Sequence, residues 1–271
     1  MPDNVIKKIL SDMDKQGFPL EVQVTEILKT HGWIVDNQEA YFDAEAGKQR
    51  TVDIASVKDF EVMPYALWKK YPHRWAFQVR LIVECKKSIK PWVFYASDTD
   101  KKQIEQSLSI NAQVHEDKIE QLNYPEEFRG TLEEKDTDLI LGFRQELARP
   151  AIFERLATIA YEPFTNGKGY SIHKARMQVC KALVDLKRKL EQDSIEILHC
   201  ILLKPVIVFD GQLYVYQNKN LTESEGLYYL VSHNNSRFHI EIIRADYLRT
   251  YLERIEKSIG NFQRGIQNQN K

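Results

Sequence analysis

Cysteine is scarce in this chain of 271 residues: Cys85, Cys180 and Cys200 are odd in number, widely spaced and set among apolar neighbours. That pattern suits reduced core thiols and argues against a disulfide framework or a cysteine-bound zinc. Eleven Gly and nine Pro are too few for a low-complexity chain. No stretch approaches eighteen uninterrupted apolar residues, and Met1-Pro2-Asp3-Asn4 opens no hydrophobic leader. A membrane span is therefore not expected, and a soluble, cytoplasmic protein is. Excess charge of one sign is also missing. The 38 Lys and Arg against 39 Asp and Glu leave a net charge of -1, which does not advertise a nucleic-acid binder.

Several reaction chemistries lack their residues. Asn166-Gly167-Lys168-Gly169 does not have the spacing of a phosphate-cradling loop and follows no clear strand. The histidines, among them His31, His73, His173, His199 and His233, show no zinc-ligand spacing. No Ser or Cys stands in a nucleophile elbow. Metal-assisted hydrolysis is left as the reaction class that several residues support.

What is present is ample core material, 43% hydrophobic residues, with no repeat and no clear linker. One domain over 1–271 is the economical reading. It has core motifs in 17–95, elaborations in 96–165, a helix and C-terminal strands in 166–260, and a polar tail, 261–271, expected to lack fixed structure. Val5, Ile6, Ile9 and Leu10 predict a short helix over 2–16. Pro19 fits the first turn of a second helix that runs to about His31 and stops at Gly32. On it Leu20, Val24, Ile27 and Leu28 share a face, with Glu21 at its border. Strands are expected over 33–38, 51–57 and 79–85, with a turn over 41–50 and an aromatic, basic insertion over 58–78. An apolar segment follows at 91–95. The stretch 97–150, with thirteen acids against seven Lys or Arg, is the least legible. Ile172, Ala175, Val179, Leu183, Leu186 and Leu190 form the stripe of a helix over 171–192. Beyond it lie one or two buried strands over 194–209 broken at Pro205, a hairpin at Asp210-Gly211 and a strand over 212–217. A strand pair over 227–232 and 237–243 joins through Asn234-Asn235, and a last helix covers 245–258.

The chemistry concentrates at strand ends. Glu84-Cys85-Lys86 closes the apolar run Leu81-Ile82-Val83, and Asp53 lies in Thr51-Val52-Asp53-Ile54. Hydrolysing a phosphodiester brings an anionic nucleophile to an anionic centre, so a site must neutralise charge and lower the pKa of water. Asp53 and Glu84 are hard oxygen ligands suited to Mg²⁺. Lys86, two residues past Glu84, shares its strand face. Its ammonium can orient water or stabilise the pentavalent oxyanion. Cys85 points the other way, its side chain inward, with its carbonyl available as a further ligand. The bland alternative makes Asp53 a polar strand end and Glu84 and Lys86 an exposed ion pair. Against that, a carboxylate ending a buried run is expensive without a partner.

On these residues the chain resembles the PD-(D/E)xK nuclease superfamily. Glu21, within Gly17-Phe18-Pro19-Leu20-Glu21-Val22-Gln23-Val24-Thr25-Glu26-Ile27-Leu28 and followed by His31-Gly32-Trp33-Ile34-Val35, adds to the likeness, because an acidic residue on the first helix often joins that family's metal site. The order Glu21, Asp53, Glu84, Lys86 matches helix, strand, strand. Two departures stand out: Val52 replaces the family's Pro, and thirty residues separate Asp53 from Glu84. The resemblance covers residues 17 to 95. It implies an α/β fold, a restriction-endonuclease-like mixed central β-sheet flanked by helices, with insertions and a C-terminal β-hairpin and helix extension. It also implies a Mg²⁺-dependent (or Mn²⁺-dependent) nuclease, a DNA endonuclease of restriction, defence or repair type. Asp53, Glu84, Lys86 and Glu21 are then catalytic, and Asp53, Glu84, Glu21 and Cys85 hold the metal.

Phosphate contacts are expected from Lys87 and Lys90, and from Lys174, Lys181 and Arg188, which repeat every seven residues opposite the apolar stripe. Residues 164–204 carry eight Lys or Arg against four acids, so a nucleic-acid backbone has a face to prefer. Tyr65, Trp68, Lys69, Lys70, Tyr71, His73, Arg74 and Trp75 either clamp nucleic acid or cap a core. A solvated helix face remains the plain alternative for the basic stripe. For the function as a whole, the alternative is a catalytically silent nucleic-acid or protein binding module on the same fold; a homodimer or a partner protein of a defence system fits the expected assembly. A Holliday-junction resolvase shares the motifs, but those enzymes are smaller and basic.

Overall fold

Alternating and helical hydrophobic patterns sort this chain into strands and helices that share one sheet. The computed structural model describes residues 3–16, 18–60, 75–96, 112–114, 153, 155–163, 171–192, 198–233 and 236–269. Its helices are α1 (Asp3–Gln16), α2 (Phe18–Thr30), α3 (Ser171–Gln192) and α4 (Leu248–Gln269), the last preceded by a 3₁₀ turn over Ala245–Tyr247. Its strands are β1 (Ile34–Asp43), β2 (Lys48–Phe60), β3 (Trp75–Lys87), β4 (Trp92–Ala96), β5 (Ala112–Val114) and β6 (Leu156–Tyr161). They continue with β7 (Leu198–Asp210), β8 (Leu213–Gln217), β9 (Asn220–Glu223), β10 (Gly226–His233) and β11 (Ser236–Arg244). Among the described residues no helix is long and apolar enough to cross a membrane.

All the described strands join one mixed sheet in the order β1-β2-β3-β7-β11-β10-β6-β4-β8-β9, with β5 also on β7. The β1–β2 and β2–β3 pairs are antiparallel, whereas β3 and β7 run parallel along their whole length, Trp75↔Leu198 to Lys87↔Asp210. The sheet curls back on itself. The links β3 to β4 and β7 to β8 run side by side, joined by Ser88 N–H to Asp210 O (3.0 Å) and Trp92 N–H to Gln212 O (2.9 Å). Yet β4 and β8 reach β7 along the ladder only through β6, β10 and β11.

The two sheet faces alternate cleanly on β3. Leu81, Val83 and Cys85 pack with α2 and α4 around Leu28, Trp33, Tyr251 and Leu252. Ile82 faces the other core with α3, among Ile172, Val179 and Leu183. By strand alternation Glu84 and Lys86 fall on the α3 side. Helix α2 stops at Gly32, whose φ of 76° lets Trp33 N–H reach back to Leu28 O at 3.1 Å.

Six expectations change. The turn expected over 41–50 narrows to 44–47, because β1 and β2 pair out to Asp43↔Lys48. The stretch 58–78 is in part ladder, since β2 and β3 stay paired out to Phe60↔Phe77, and residues 61–74, with most of the aromatic-basic segment, lie outside the described residues. Pro205 does not break its strand: it sits where pairing with β5 (200–202) has ended and pairing with β11 (206–209) has not begun, a place that tolerates a missing N–H. Asp210-Gly211 makes no hairpin, because β8 pairs with β4 and β9 rather than β7. A Cβ at Gly211 would lie 2.6 Å from both the Phe209 ring and the Ser88 carbonyl, so the bend requires glycine. The C-terminal hairpin is no peripheral extension, since β11 pairs with β7 in the middle of the sheet. Finally, α4 carries helix through Gln269 where an unstructured tail is expected. Of 97–150, only β5 is described, and Asn234-Asn235 lies outside the described residues.

Candidate active site

Charged side chains from α2, β2 and β3 come within electrostatic range of one another where β2 parts from β3. The β2–β3 ladder ends at Ile54↔Val83. One residue further, Asp53 turns its carboxylate onto the neighbouring strand, and its Oδ2 accepts a hydrogen bond from the Cys85 N–H at 2.7 Å. Glu84 is fully buried, and its Oε1 accepts from Lys86 Nζ at 2.5 Å. Its other oxygen, Oε2, is buried with no hydrogen-bond partner. Such an atom is costly to desolvate unless something charged or protic meets it.

The electrostatics tie Glu21, Asp53, Glu84 and Lys86 into one cluster. Burial raises the Glu84 carboxyl to about 7, the Asp53 charge adding to the rise while the Lys86 ammonium and the Asp53 backbone N–H oppose it. Burial also raises Asp53, against the Cys85 N–H, Lys86 and Lys174. Glu21 is raised by burial and by the Asp53 charge, with Gln38 and Lys86 acting the other way. Burial works against the Lys86 ammonium, but Glu84 and Asp53 outweigh it, so its pKa rises. Glu21, Glu84 and Lys86 each feel two of the others, and Asp53 feels Lys86. Cys85 places its thiol in the core under α2 and α4 and its N–H on Asp53.

Oxygen ligands for a hard cation are therefore gathered here, in the form of Asp53, Glu84 and Glu21. They are not arranged as a finished ion cage. Among the described residues no group of three or more His, Cys, Asp or Glu is close enough to hold a metal as it stands. The counter-charge beside Glu84 is Lys86.

The basic residues divide. Lys174 is exposed on α3 and is felt by Asp53. Lys181, from the same stripe, reaches Asp43 at 2.9 Å and Glu45 at 2.7 Å, and Asp43 is 1% exposed. Lys181 binds the tip of the β1–β2 hairpin to α3. Arg188 holds buried Asp185 at 2.7 Å, although its own side chain is 52% exposed. Lys87 stands 3.8 Å from Asp210, and Lys90 belongs to the link between β3 and β4, its N–H bonded to Ser88 Oγ at 3.0 Å.

Two residues of this neighbourhood carry no sequence signal. Gln38, on β1, donates from Nε2 to Glu21 Oε2 at 3.1 Å. Tyr41 is buried, lies within reach of the Glu84 charge, and has a hydroxyl without a hydrogen-bond partner. A Gln or a Tyr in a strand is ordinary, and only the neighbours that folding supplies make either notable. No family model, curated protein or solved structure matches this chain.

Proposed function

We propose that this chain is a Mg²⁺-dependent phosphodiesterase of nucleic acid, a nuclease of the PD-(D/E)xK kind on a restriction-endonuclease-like fold, with DNA as its substrate. The observation that carries the reading is the approach of Asp53 to the Glu84-Cys85-Lys86 strand end, with a buried carboxylate oxygen of Glu84 left without a partner. The donors fit the group: three carboxylates and no sulfur ligand suit a small hard cation. Asp53, Glu84 and Glu21 would hold it, and when bound it would neutralise phosphate charge and acidify a water. Lys86 stays with Glu84 in orienting that water or meeting the developing oxyanion. Lys174 lies on the approach to Asp53 and faces solvent, where a phosphate of the backbone would come.

A linear and a circular duplex, a single strand and an RNA of the same sequence, incubated with Mg²⁺ or Mn²⁺, provide the test. Wild-type protein is expected to cut at least the DNA, with E84A and K86A reduced at least 100-fold. Undiminished cutting by both variants in a clean preparation defeats the assignment. A silent binding module on the same scaffold is the second reading, favoured by the Lys86 ammonium already paired with Glu84 and by the lack of a ready ion cage among the described residues. Calorimetry with Mn²⁺ separates the two, since a silent module gives no heat that D53A and E84A abolish.

A further inference from the structure

Gln38 is the one described residue within β1 and β2 with a positive φ. Its φ is 57°, in the left-handed region that a glutamine seldom enters. The pairing register runs Asn37↔Ile54 and then Glu39↔Val52, so Gln38 stands opposite Asp53 with no ladder pair between them. The disturbance extends to β2. Val52 and Ala55, three apart, both pack toward α3, while Ile54 packs toward α2, which a regularly alternating strand does not allow. The twist that frees Asp53 to reach Cys85 is thus matched across the hairpin by the left-handed residue.

The Gln38 side chain, at an exposed position, is hydrogen-bonded at both ends. Nε2 donates to Glu21 Oε2 at 3.1 Å, and Oε1 accepts from Thr51 Oγ1 at 3.1 Å. In this orientation the amide presents its donor end to Glu21 and its acceptor end to the Thr51 hydroxyl. Glu21 comes from a helix, whereas Asp53 and Glu84 come from strands, so its carboxylate needs separate orientation. Partners one step behind a metal ligand do this in known centres, and their loss weakens metal binding about 10–100-fold.

We infer that Gln38 is a positioning residue that holds the Glu21 carboxylate in place beside Asp53, so that a divalent cation finds three carboxylates rather than two. This rests on the metal-site reading above. It assigns no contact between Gln38 and substrate or cation.

Asparagine adopts the left-handed conformation more readily than glutamine but is one methylene shorter and cannot span from Thr51 to Glu21. Q38N therefore keeps the backbone and removes the clamp, and Q38G does the same without any side chain. Metal-free wild type, Q38N, Q38G, E21A and Q38N/E21A are titrated with Mn²⁺ by calorimetry, with urea midpoints measured alongside. Expected are unchanged or raised midpoints for Q38N and Q38G, Mn²⁺ affinity about 10-fold weaker, and no further loss when Q38N is added to E21A. Wild-type affinity in Q38N and Q38G overturns the inference and leaves the metal site standing, as does an equal loss in the presence and absence of Glu21. A wild-type protein that takes up no Mn²⁺ overturns both.

Discussion

The Asp53 carboxylate takes the place of a backbone carbonyl opposite Cys85. Extending the β2–β3 register by two residues from Ile54↔Val83 would set Val52 against Cys85. Instead, the Cys85 N–H is met by Asp53 Oδ2 at 2.7 Å. One side chain thus closes the ladder and stands at the candidate site, which couples local stability to the acid's position.

Replacing Asp53 separates those roles. D53N keeps an oxygen acceptor for the Cys85 N–H, and its metal-free stability is expected within about 1 kcal/mol of wild type. D53A leaves that N–H unpaired and is expected to lose about 1–3 kcal/mol. Both should lose Mn²⁺ binding. Urea denaturation in EDTA and calorimetry read the two effects, and equal stability of D53A and wild type contradicts the capping role.

Glu84 predicts a pH dependence in the metal-free protein. Its folded pKa of about 7 lies above the ordinary 4.5, so between those values the folded chain holds more protons than the unfolded one. Its contribution is complete below the unfolded value and is lost as pH rises through 7. The gap corresponds to at most roughly 3.5 kcal/mol. E84Q, which cannot ionise, is expected to gain on wild type between pH 5 and pH 8 in EDTA. A difference that does not change with pH removes the buried, protonatable carboxyl.

The three basic residues of α3 should behave differently despite their common stripe. K174A is expected to weaken DNA binding with little sequence preference and to lower the salt slope by about 1, at unchanged stability. K181A strips a partner from buried Asp43 and from Glu45 and should cost roughly 1–3 kcal/mol in stability. Arg188 shares Asp185 with Lys189, so R188A should fall below that. Filter binding at several salt concentrations, beside thermal melts, ranks the three.

Beneath α4 a buried ion pair joins two central strands: Lys204 Nζ to Glu241 Oε1 at 2.6 Å, with the Tyr251 hydroxyl donating to Glu241 Oε2. K204M strands the buried Glu241 and is expected to cost about 3–5 kcal/mol. K204M/E241L, which removes both charges, should recover most of that loss. Neither variant should alter Mn²⁺ affinity, because both residues lie outside the site cluster. Denaturation midpoints and one calorimetric titration decide it.

Much of this protein can be read from residue order alone. The stripe Leu20, Val24, Ile27 and Leu28 with Gly32 behind it marks a helix and its end, because one turn of helix brings every third or fourth residue to the same side. Leu81-Ile82-Val83-Glu84-Cys85-Lys86 marks a buried strand with a charged end. Asp53, Glu84, Lys86 and Glu21 stand out by residue type and element, and folding brings their charges together. Pro205 and Asp210-Gly211 mislead for a definite reason: whether a missing N–H breaks a strand, or a turn closes a hairpin, depends on which neighbour lies alongside, and those neighbours, β5, β11 and β4, are remote in sequence.

What the amino-acid order determined by itself is therefore short-range: periodicity, turn chemistry and the kinds of groups at strand ends, all properties of residues within a turn or two of each other. Tertiary structure alone decided that β11 enters the middle of the sheet, that Lys181 is spent on Asp43 while Lys174 faces Asp53, and that Gln38 adopts a left-handed backbone to meet Glu21. Burial and charge act through space, so a group's pKa and partners are set by what the folded chain brings against it.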